Sequence, residues 1–147
     1  MEEIVAYERK FDFEGTEKDL ELHLLDNIGR ITESCGWGKT RRVENQYVIP
    51  SNHGSARLDV MLWHEDGTGT VIEAKKNYNR NNVLNSIGQL LYYGTLVEKR
   101  LGKMPRLVLA VNDVDASLKA TIDRFGLPIS ILMLDGNTCL YFTNERG

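Results

Sequence analysis

Apolar residues recur along the chain at two different spacings, which predict an alternation of helices and strands. The clearest helical pattern covers residues 16–32, where apolar residues repeat every three or four positions: Leu20, Leu24, Ile28 and Ile31. Thr16 and Asp19 at its start have the spacing of a capping box. The same kind of spacing predicts two later helices, over residues 83–101 and 115–125.

Short apolar runs between turn residues predict the strands. They cover residues 43–49, 57–64, 70–75, 107–111, 129–134 and 139–143. Residues 3–13 predict a further strand or an irregular arm, and residues 77–82 predict a polar loop. Two turn-rich segments, 65–69 and 135–137, predict hairpins. This order of elements predicts an α/β fold with a central mixed sheet and helices on its faces.

The composition is that of a globular domain. The chain has 147 residues, of which 41% are hydrophobic and 27% are charged, and one domain typically contains about 100–150 residues. We therefore expect a single domain over residues 1–147, with its functional core near residues 16–112. No apolar run reaches the roughly 20 residues of a membrane span, and the acidic start of the chain is unlike a signal peptide. The 2 cysteines are too few for a disulfide scaffold or a cysteine-based zinc site. These features predict a cytoplasmic protein without a membrane partner.

Charge is distributed unevenly along the chain, although the formal net charge is only -3. Residues 1–33 carry 4 basic and 10 acidic side chains, whereas residues 75–106 carry 7 basic and 1 acidic side chain. The basic segment fits either a solvated helix face or a surface that contacts phosphates. The weak net acidity therefore does not exclude nucleic-acid binding.

Three polar residues near the ends of two predicted strands indicate a chemical site. Glu73 and Lys75 are two residues apart, so both project from one face of a strand. If a five-residue loop connects the strands, His64 pairs with Thr70. Asp59 then lies opposite Lys75, diagonal to Glu73 and on the same face. A loop one residue longer or shorter would move Asp59 to the other face.

Two carboxylates beside an ammonium group suit phosphoryl chemistry. Carboxylate oxygens hold Mg²⁺ with few protein ligands, the metal lowers the pKa of a bound water, and an ammonium group stabilises charge that develops on the phosphate. The alternative is structural, with Asp59 and Lys75 as an exposed cross-strand ion pair and Glu73 solvated. These three residues alone leave both interpretations open.

The arrangement resembles the core motif of the PD-(D/E)XK nuclease superfamily. Asp59 is followed, after 13 intervening residues, by Glu73-Ala74-Lys75. Gln89 and Tyr93 resemble the Q-x-x-x-Y motif of the flap and mismatch endonucleases of archaea and actinobacteria, and of the nuclease domain of type I restriction motor subunits. The first predicted helix resembles the pattern whose leading glutamate reaches the active site: Glu17, Leu20, Leu24 and Asn27. One departure is Leu58, which replaces the proline of the name.

The resemblance implies a restriction-endonuclease-like core of order α-β-β-β-α-β with a C-terminal α-β-β extension. It also implies roles for individual residues. Asp59 and Glu73, with the Ala74 carbonyl, would bind Mg²⁺ or Mn²⁺, and Lys75 would position or activate the attacking water. Gln89 would support Lys75 or contact a phosphate.

The first helix would add a further metal ligand, acting through water or at a second metal. Glu17 is the expected residue, with Glu21 as the alternative if the helix phase differs. Four other residues are candidate DNA contacts: Tyr93, Arg57, Lys76 and Arg80.

The sequence as a whole therefore predicts a metal-dependent deoxyribonuclease. We expect an endonuclease that hydrolyses phosphodiester bonds in DNA repair, recombination, restriction or viral DNA processing. One active site cuts one strand, so cleavage of a duplex would favour a homodimer. Two alternatives remain open, namely a catalytically idle nuclease fold used for binding or assembly, and a nuclease subunit that needs a partner ATPase or targeting protein.

Overall fold

A computed structural model describes residues 1–11, 16–52, 54–76, 80–134 and 136–145, without the side chains of Arg9, Arg80, Asn82 and Asn137. Within these ranges the chain forms seven strands and four helices. The strands are β1 (Glu2–Phe11), β2 (Thr40–Ser51), β3 (Gly54–His64), β4 (Gly69–Lys75), β5 (Arg106–Val111), β6 (Ile129–Met133) and β7 (Gly136–Thr143). The helices are α1 (Glu17–Asp26), α2 (Ile28–Ser34), α3 (Arg80–Leu101) and α4 (Ala116–Phe125). The predicted loop residues 77–79 and the turn residue 135 lie outside the described residues.

All seven strands form one sheet in the order β1-β7-β6-β5-β4-β3-β2. The central strands β4, β5 and β6 are parallel, and the other neighbours are antiparallel. The long helix α3 connects β4 to β5, and α4 connects β5 to β6, as parallel neighbours require. The predicted α/β class with a mixed sheet and flanking helices is confirmed.

Apolar side chains cover both faces of this sheet, so the molecule has two cores. On one face, α1 and α2 bury Leu20, Leu24 and Ile31 against residues of β3, β4 and β5. On the other face, α3 and α4 bury a second cluster that includes Leu90 and Ile122. The central strand β4 contributes to both clusters and is buried along nearly its whole length. Polar side chains are therefore unexpected on β4 unless they have a structural or functional role.

The first predicted helix is interrupted at Asn27. Its start is confirmed, because Thr16 and Asp19 form the expected capping box. The Asn27 side chain donates a 2.8 Å hydrogen bond to the carbonyl of His23, and a new helix begins at Ile28. The apolar spacing cannot reveal this break, because both helices bury their apolar residues in the same core.

Other boundaries also differ from the prediction. Helix α3 begins at Arg80 rather than at residue 83, so part of the asparagine-rich segment is helical. Strand β2 extends to Ser51 and includes Pro50. Proline fits there because β2 is an edge strand, where the missing N–H group removes little pairing.

The β3–β4 hairpin has a different register from the predicted one. Trp63 pairs with Gly69, and Leu62 rather than His64 lies opposite Thr70. The predicted opposition of Asp59 and Lys75 is therefore wrong, by a shift of two residues. Such a shift preserves the face of every side chain, because strand side chains alternate with a period of two. Continued by one residue beyond the pair of Val60 and Ile72, the observed register brings Asp59 opposite Glu73.

Candidate active site

The β3–β4 ladder opens at the end of β4, and two carboxylates occupy the opening. The backbone N–H of Asp59 donates a 3.0 Å hydrogen bond to Oε1 of Glu73. In return, the backbone N–H of Ala74 donates a 2.9 Å hydrogen bond to Oδ2 of Asp59. Each carboxylate is thus held by the backbone of the other strand. We refer to Asp59 and Glu73 as the acidic pair.

The acidic pair is electrostatically unfavourable in the absence of a cation. Glu73 is only 3% exposed. Burial raises the pKa of its carboxyl group, and the negative charge of Asp59 raises it further. Lys75, the next residue but one on β4, lowers the pKa of Glu73, but this is the smallest of the effects. Like charges held this close, with partial compensation, are typical of a site that binds a positive ligand.

The donors fit a magnesium-type ion. Carboxylate oxygens are hard ligands, and Mg²⁺ is usually bound through one or two carboxylates while it keeps several waters. Within the described residues, no group of three or more His, Cys, Asp or Glu side chains is arranged to hold a metal. Burial and then the charge of Asp59 raise the pKa of Glu73, and a divalent ion at the acidic pair would offset both effects.

Helix α3 brings Tyr93 towards the acidic pair. Tyr93 is half-buried, and its pKa is raised by burial and then by the charges of Glu73 and Asp59. Gln89 lies one helical turn earlier, and its side chain is exposed. In the part of the chain that the structure describes, no hydrogen bond joins Gln89 to either carboxylate. Of the two motif residues, Tyr93 is therefore the one whose pKa responds to the charges of the acidic pair.

The two glutamates of α1 reach the site at different places. Oε1 of Glu17 lies 3.5 Å from the backbone N–H of Lys76, directly after the end of β4. Glu21, one turn later, accepts hydrogen bonds from Asn45 and Gln46 of β2. Both side chains border the site, so the choice between Glu17 and Glu21 as the first-helix residue stays a prediction.

Sequence reasoning missed Asn45 and Gln46. The side-chain amide of Gln46 lies 2.9 Å from Oε1 of Glu21 and 3.5 Å from Oδ1 of Asp59. Asn45 donates to the same oxygen of Glu21 at 2.6 Å. The signal in the sequence was slight. Three consecutive polar residues, Glu44, Asn45 and Gln46, interrupt the apolar pattern of a predicted strand.

Comparisons with known proteins identify one solved structure with a similar fold. No protein-family model matches the chain, and no curated protein matches it. Among solved structures, it is similar to the crystal structure of a repair endonuclease from Pyrococcus abyssi, with a TM-score of 0.56 and 20% identity. The match covers 86% of this chain and 50% of that chain. The chain shares the fold of this endonuclease over the matched region.

This similarity agrees with the predicted restriction-endonuclease-like core. The chain spans half the length of the endonuclease chain that it matches, 50%. At this level of identity the likeness establishes the fold, and the chemistry depends on the residues of this chain. No helix in the described ranges is long and apolar enough to cross a membrane.

The three basic residues that are candidate DNA contacts differ in their position relative to the acidic pair and in their exposure. Arg57 is exposed on β3, two residues before Asp59, and pairs with Val48 of β2. Lys76 directly follows Lys75 and is half-buried. Arg80 is the first residue of α3, and its side chain lies outside the described part of the structure.

The basic segment 75–106 does not form one continuous surface. Its basic residues divide between the two ends of α3, a helix of 22 residues that is about 33 Å long. Lys75, Lys76 and Arg80 lie at the site end, and the others lie at the far end: Lys99, Arg100, Lys103 and Arg106. Only the first group is placed to assist the acidic pair.

Proposed function

We propose that the chain is a metal-dependent deoxyribonuclease of the PD-(D/E)XK type. The observation that carries this proposal is the acidic pair at the end of β4, in which buried Glu73 and half-buried Asp59 are each held by the backbone of the other strand. Lys75 lies two residues after Glu73, and the fold is shared with a repair endonuclease. The ordered motifs Asp59, Glu73-Ala74-Lys75 and Gln89 with Tyr93 support the same assignment.

Asp59, Glu73 and the Ala74 carbonyl would hold Mg²⁺ or Mn²⁺. Such an ion supplies an activated water and neutralises charge on the phosphate. Lys75 would orient that water and stabilise the charge that develops as the phosphodiester bond breaks. Tyr93 and Gln89 would contact a phosphate from α3, while Glu17 or Glu21 would bind ordered waters from α1.

The substrate would be DNA, contacted by basic residues that flank the acidic pair along the chain: Arg57, Lys76 and Arg80. We propose endonuclease activity in repair, recombination, restriction or viral DNA processing, with a homodimer for coordinated cleavage of both strands. Phosphate contacts give affinity without base recognition. We therefore expect structure-dependent rather than sequence-dependent cleavage.

The deciding experiment measures cleavage of single-stranded, duplex, flap and branched DNA with Mg²⁺ or Mn²⁺. We expect the wild-type protein to cut at least one substrate and Glu73→Ala to be inactive. Glu65→Gln is the matched control, because Glu65 is an exposed glutamate at the opposite end of the same hairpin. Equal activity of Glu73→Ala and the wild-type protein would overturn the assignment of the site.

Metal binding separates this proposal from its two alternatives. Calorimetry with Mn²⁺ should show binding to the wild-type protein that Asp59→Asn abolishes. Absence of both binding and cleavage would favour an idle nuclease fold. Binding without cleavage, followed by cleavage on addition of a partner ATPase, would favour a nuclease subunit that a partner activates.

A further inference from the structure

Gln46 has a backbone conformation that is unusual for its position. Its φ is 55°, and among the described residues it is the one non-glycine residue with a positive φ. It lies in the middle of a strand rather than in a turn, because Asn45 and Tyr47 on either side both pair with β3. The left-handed conformation is unfavourable for residues that carry a Cβ atom, so the surrounding structure must maintain it.

This conformation reverses the alternation of side chains along β2. Consecutive strand residues normally point to opposite faces, but the amides of Asn45 and Gln46 both donate to Oε1 of Glu21 on α1. Beyond this point, Tyr47 packs edge-on against Trp63 and accepts a hydrogen bond from Arg100 of α3. At Gln46, therefore, the β2 side chains change the face of the sheet from which they project. We refer to this position in β2 as the corner.

The corner lies beside the acidic pair. In the register of β2 and β3, Asn45 pairs with Val60 and Tyr47 with Leu58, so Gln46 is opposite Asp59. The Gln46 amide approaches Oδ1 of Asp59 at 3.5 Å, while the Ala74 N–H donates to Oδ2 at 2.9 Å. The two oxygens of Asp59 are thus restrained from opposite sides.

The identity of the side chain at this corner is informative. Glycine adopts a positive φ without steric penalty, so glycine would suffice if only the corner were needed. Glutamine instead places a neutral donor between two carboxylates, Glu21 and Asp59. A neutral amide can orient both groups without removing the negative charge that attracts a cation.

We propose that Gln46 is a positioning residue that holds the Asp59 carboxylate in the orientation required for metal binding. The proposal rests on the proposed function, since it assumes a divalent ion at the acidic pair. Groups that hydrogen-bond to metal ligands typically contribute about 10- to 100-fold in metal affinity or activity. We expect an effect of this size on Mn²⁺ binding when the amide is removed.

The test compares Gln46→Gly with the wild-type protein and with Asn45→Ala. Gln46→Gly keeps the corner, relieves the strain and removes the amide. Asn45→Ala removes the neighbouring amide on Glu21 without touching Asp59. We expect Gln46→Gly to unfold at the wild-type temperature or above it without metal, yet to bind Mn²⁺ about 10- to 100-fold more weakly in calorimetry. Asn45→Ala should lose clearly less Mn²⁺ affinity than Gln46→Gly, because the Gln46 amide that approaches Asp59 is intact.

A purely structural role predicts the reverse pattern, with lower metal-free stability and unchanged Mn²⁺ affinity, and that result would overturn the proposal. Metal-free crystal structures of the wild-type protein and Gln46→Gly provide a second readout. We expect the Asp59 carboxylate to leave its wild-type orientation in the variant. If the wild-type protein bound no Mn²⁺, the proposed function would fail, and an unmoved Asp59 in these structures would separately refute the role of Gln46.

Discussion

Two polar clusters lie at opposite ends of β4, and they differ in the charges that they bring together. At one end is the acidic pair. At the other end, His64 and Thr70 share a 2.8 Å hydrogen bond, and Arg106 donates to Thr70 at 3.1 Å. Arg106 also donates two 2.7 Å hydrogen bonds to the carboxylate of Glu145. We refer to these four residues as the far-end cluster.

The two clusters differ in how far their buried charges and polar groups are compensated. In the far-end cluster a cation meets an anion and the buried hydroxyl of Thr70 is hydrogen-bonded, as buried polar groups in proteins generally are. In the acidic pair, a buried carboxylate, Glu73, lies beside a half-buried one, Asp59. Burial and the charge of Asp59 raise the pKa of Glu73. Buried charges without full compensation reduce stability. Such an arrangement is expected at a site where a bound ligand supplies the compensating positive charge.

The largest expected effect is the response of the acidic pair to metal. If Mn²⁺ binds there, a concentration 100-fold above the dissociation constant should stabilise the wild-type protein by about 2.7 kcal/mol, which raises the melting temperature by roughly 5–10 °C. Asp59→Asn should show no such rise, because one carboxylate ligand is lost. Thermal unfolding with and without Mn²⁺ measures both. Equal rises in the two proteins would place the metal elsewhere.

The far-end cluster should respond in the opposite manner. Arg106→Met removes the fork of hydrogen bonds to Glu145 and the bond to Thr70, and charge-assisted bonds contribute about 1.5–3 kcal/mol each when buried. Glu145 is 43% exposed, so we expect a total loss of only about 1–2 kcal/mol in denaturant unfolding. Mn²⁺ should stabilise this variant as much as the wild-type protein. A loss of the metal response would show that the two clusters are not independent.

Much of the acidic pair could be predicted from sequence, because its geometry depends on local rules. Glu73 and Lys75 share a face through their spacing alone. Asp59 lies on the same face, as predicted, although its predicted partner was wrong. The actual register differs from the predicted one by two residues, and such a shift leaves the face unchanged. The capping box at Thr16 was equally local.

The features that escaped prediction depend on tertiary contacts. Nothing in the apolar spacing distinguishes the break at Asn27, since both helices pack on one core. The corner at Gln46 is held by Glu21 of α1 and by packing against α3, so no local pattern encodes it. The far-end cluster joins residues from β3, β4, β5 and the end of the chain, and no sequence spacing relates them.

A smaller effect should appear when the repulsion in the acidic pair is removed without metal. Glu73→Gln can still accept the hydrogen bond from Asp59 but carries no charge. Because the folded state raises the pKa of Glu73, ionisation of this group reduces stability as pH rises through the folded pKa. We therefore expect Glu73→Gln to be more stable than the wild-type protein by about 1 kcal/mol at high pH. The advantage should shrink at acidic pH, whereas a variant that is less stable at every pH would contradict this account.

The smallest predicted effect is a pH dependence of opposite sign at the far-end cluster. Burial lowers the pKa of His64, and the charge of Arg106 lowers it further. The unfolded chain therefore binds a proton at this histidine more readily than the folded protein, so stability is lost as pH falls below about 6.5, the ordinary pKa of histidine.

His64→Gln should lack this component, so its stability should fall less than that of the wild-type protein between about pH 7.5 and pH 5.5. Denaturant unfolding of the metal-free proteins at the two pH values measures the difference. Acidification would then reduce the contribution of the far-end cluster to stability. At the acidic pair it would reduce the charge repulsion, because Glu73 becomes protonated. Parallel pH profiles for His64→Gln and the wild-type protein would mean that His64 is solvated in both states, and the proposed contrast between the two ends of β4 would lose its electrostatic basis.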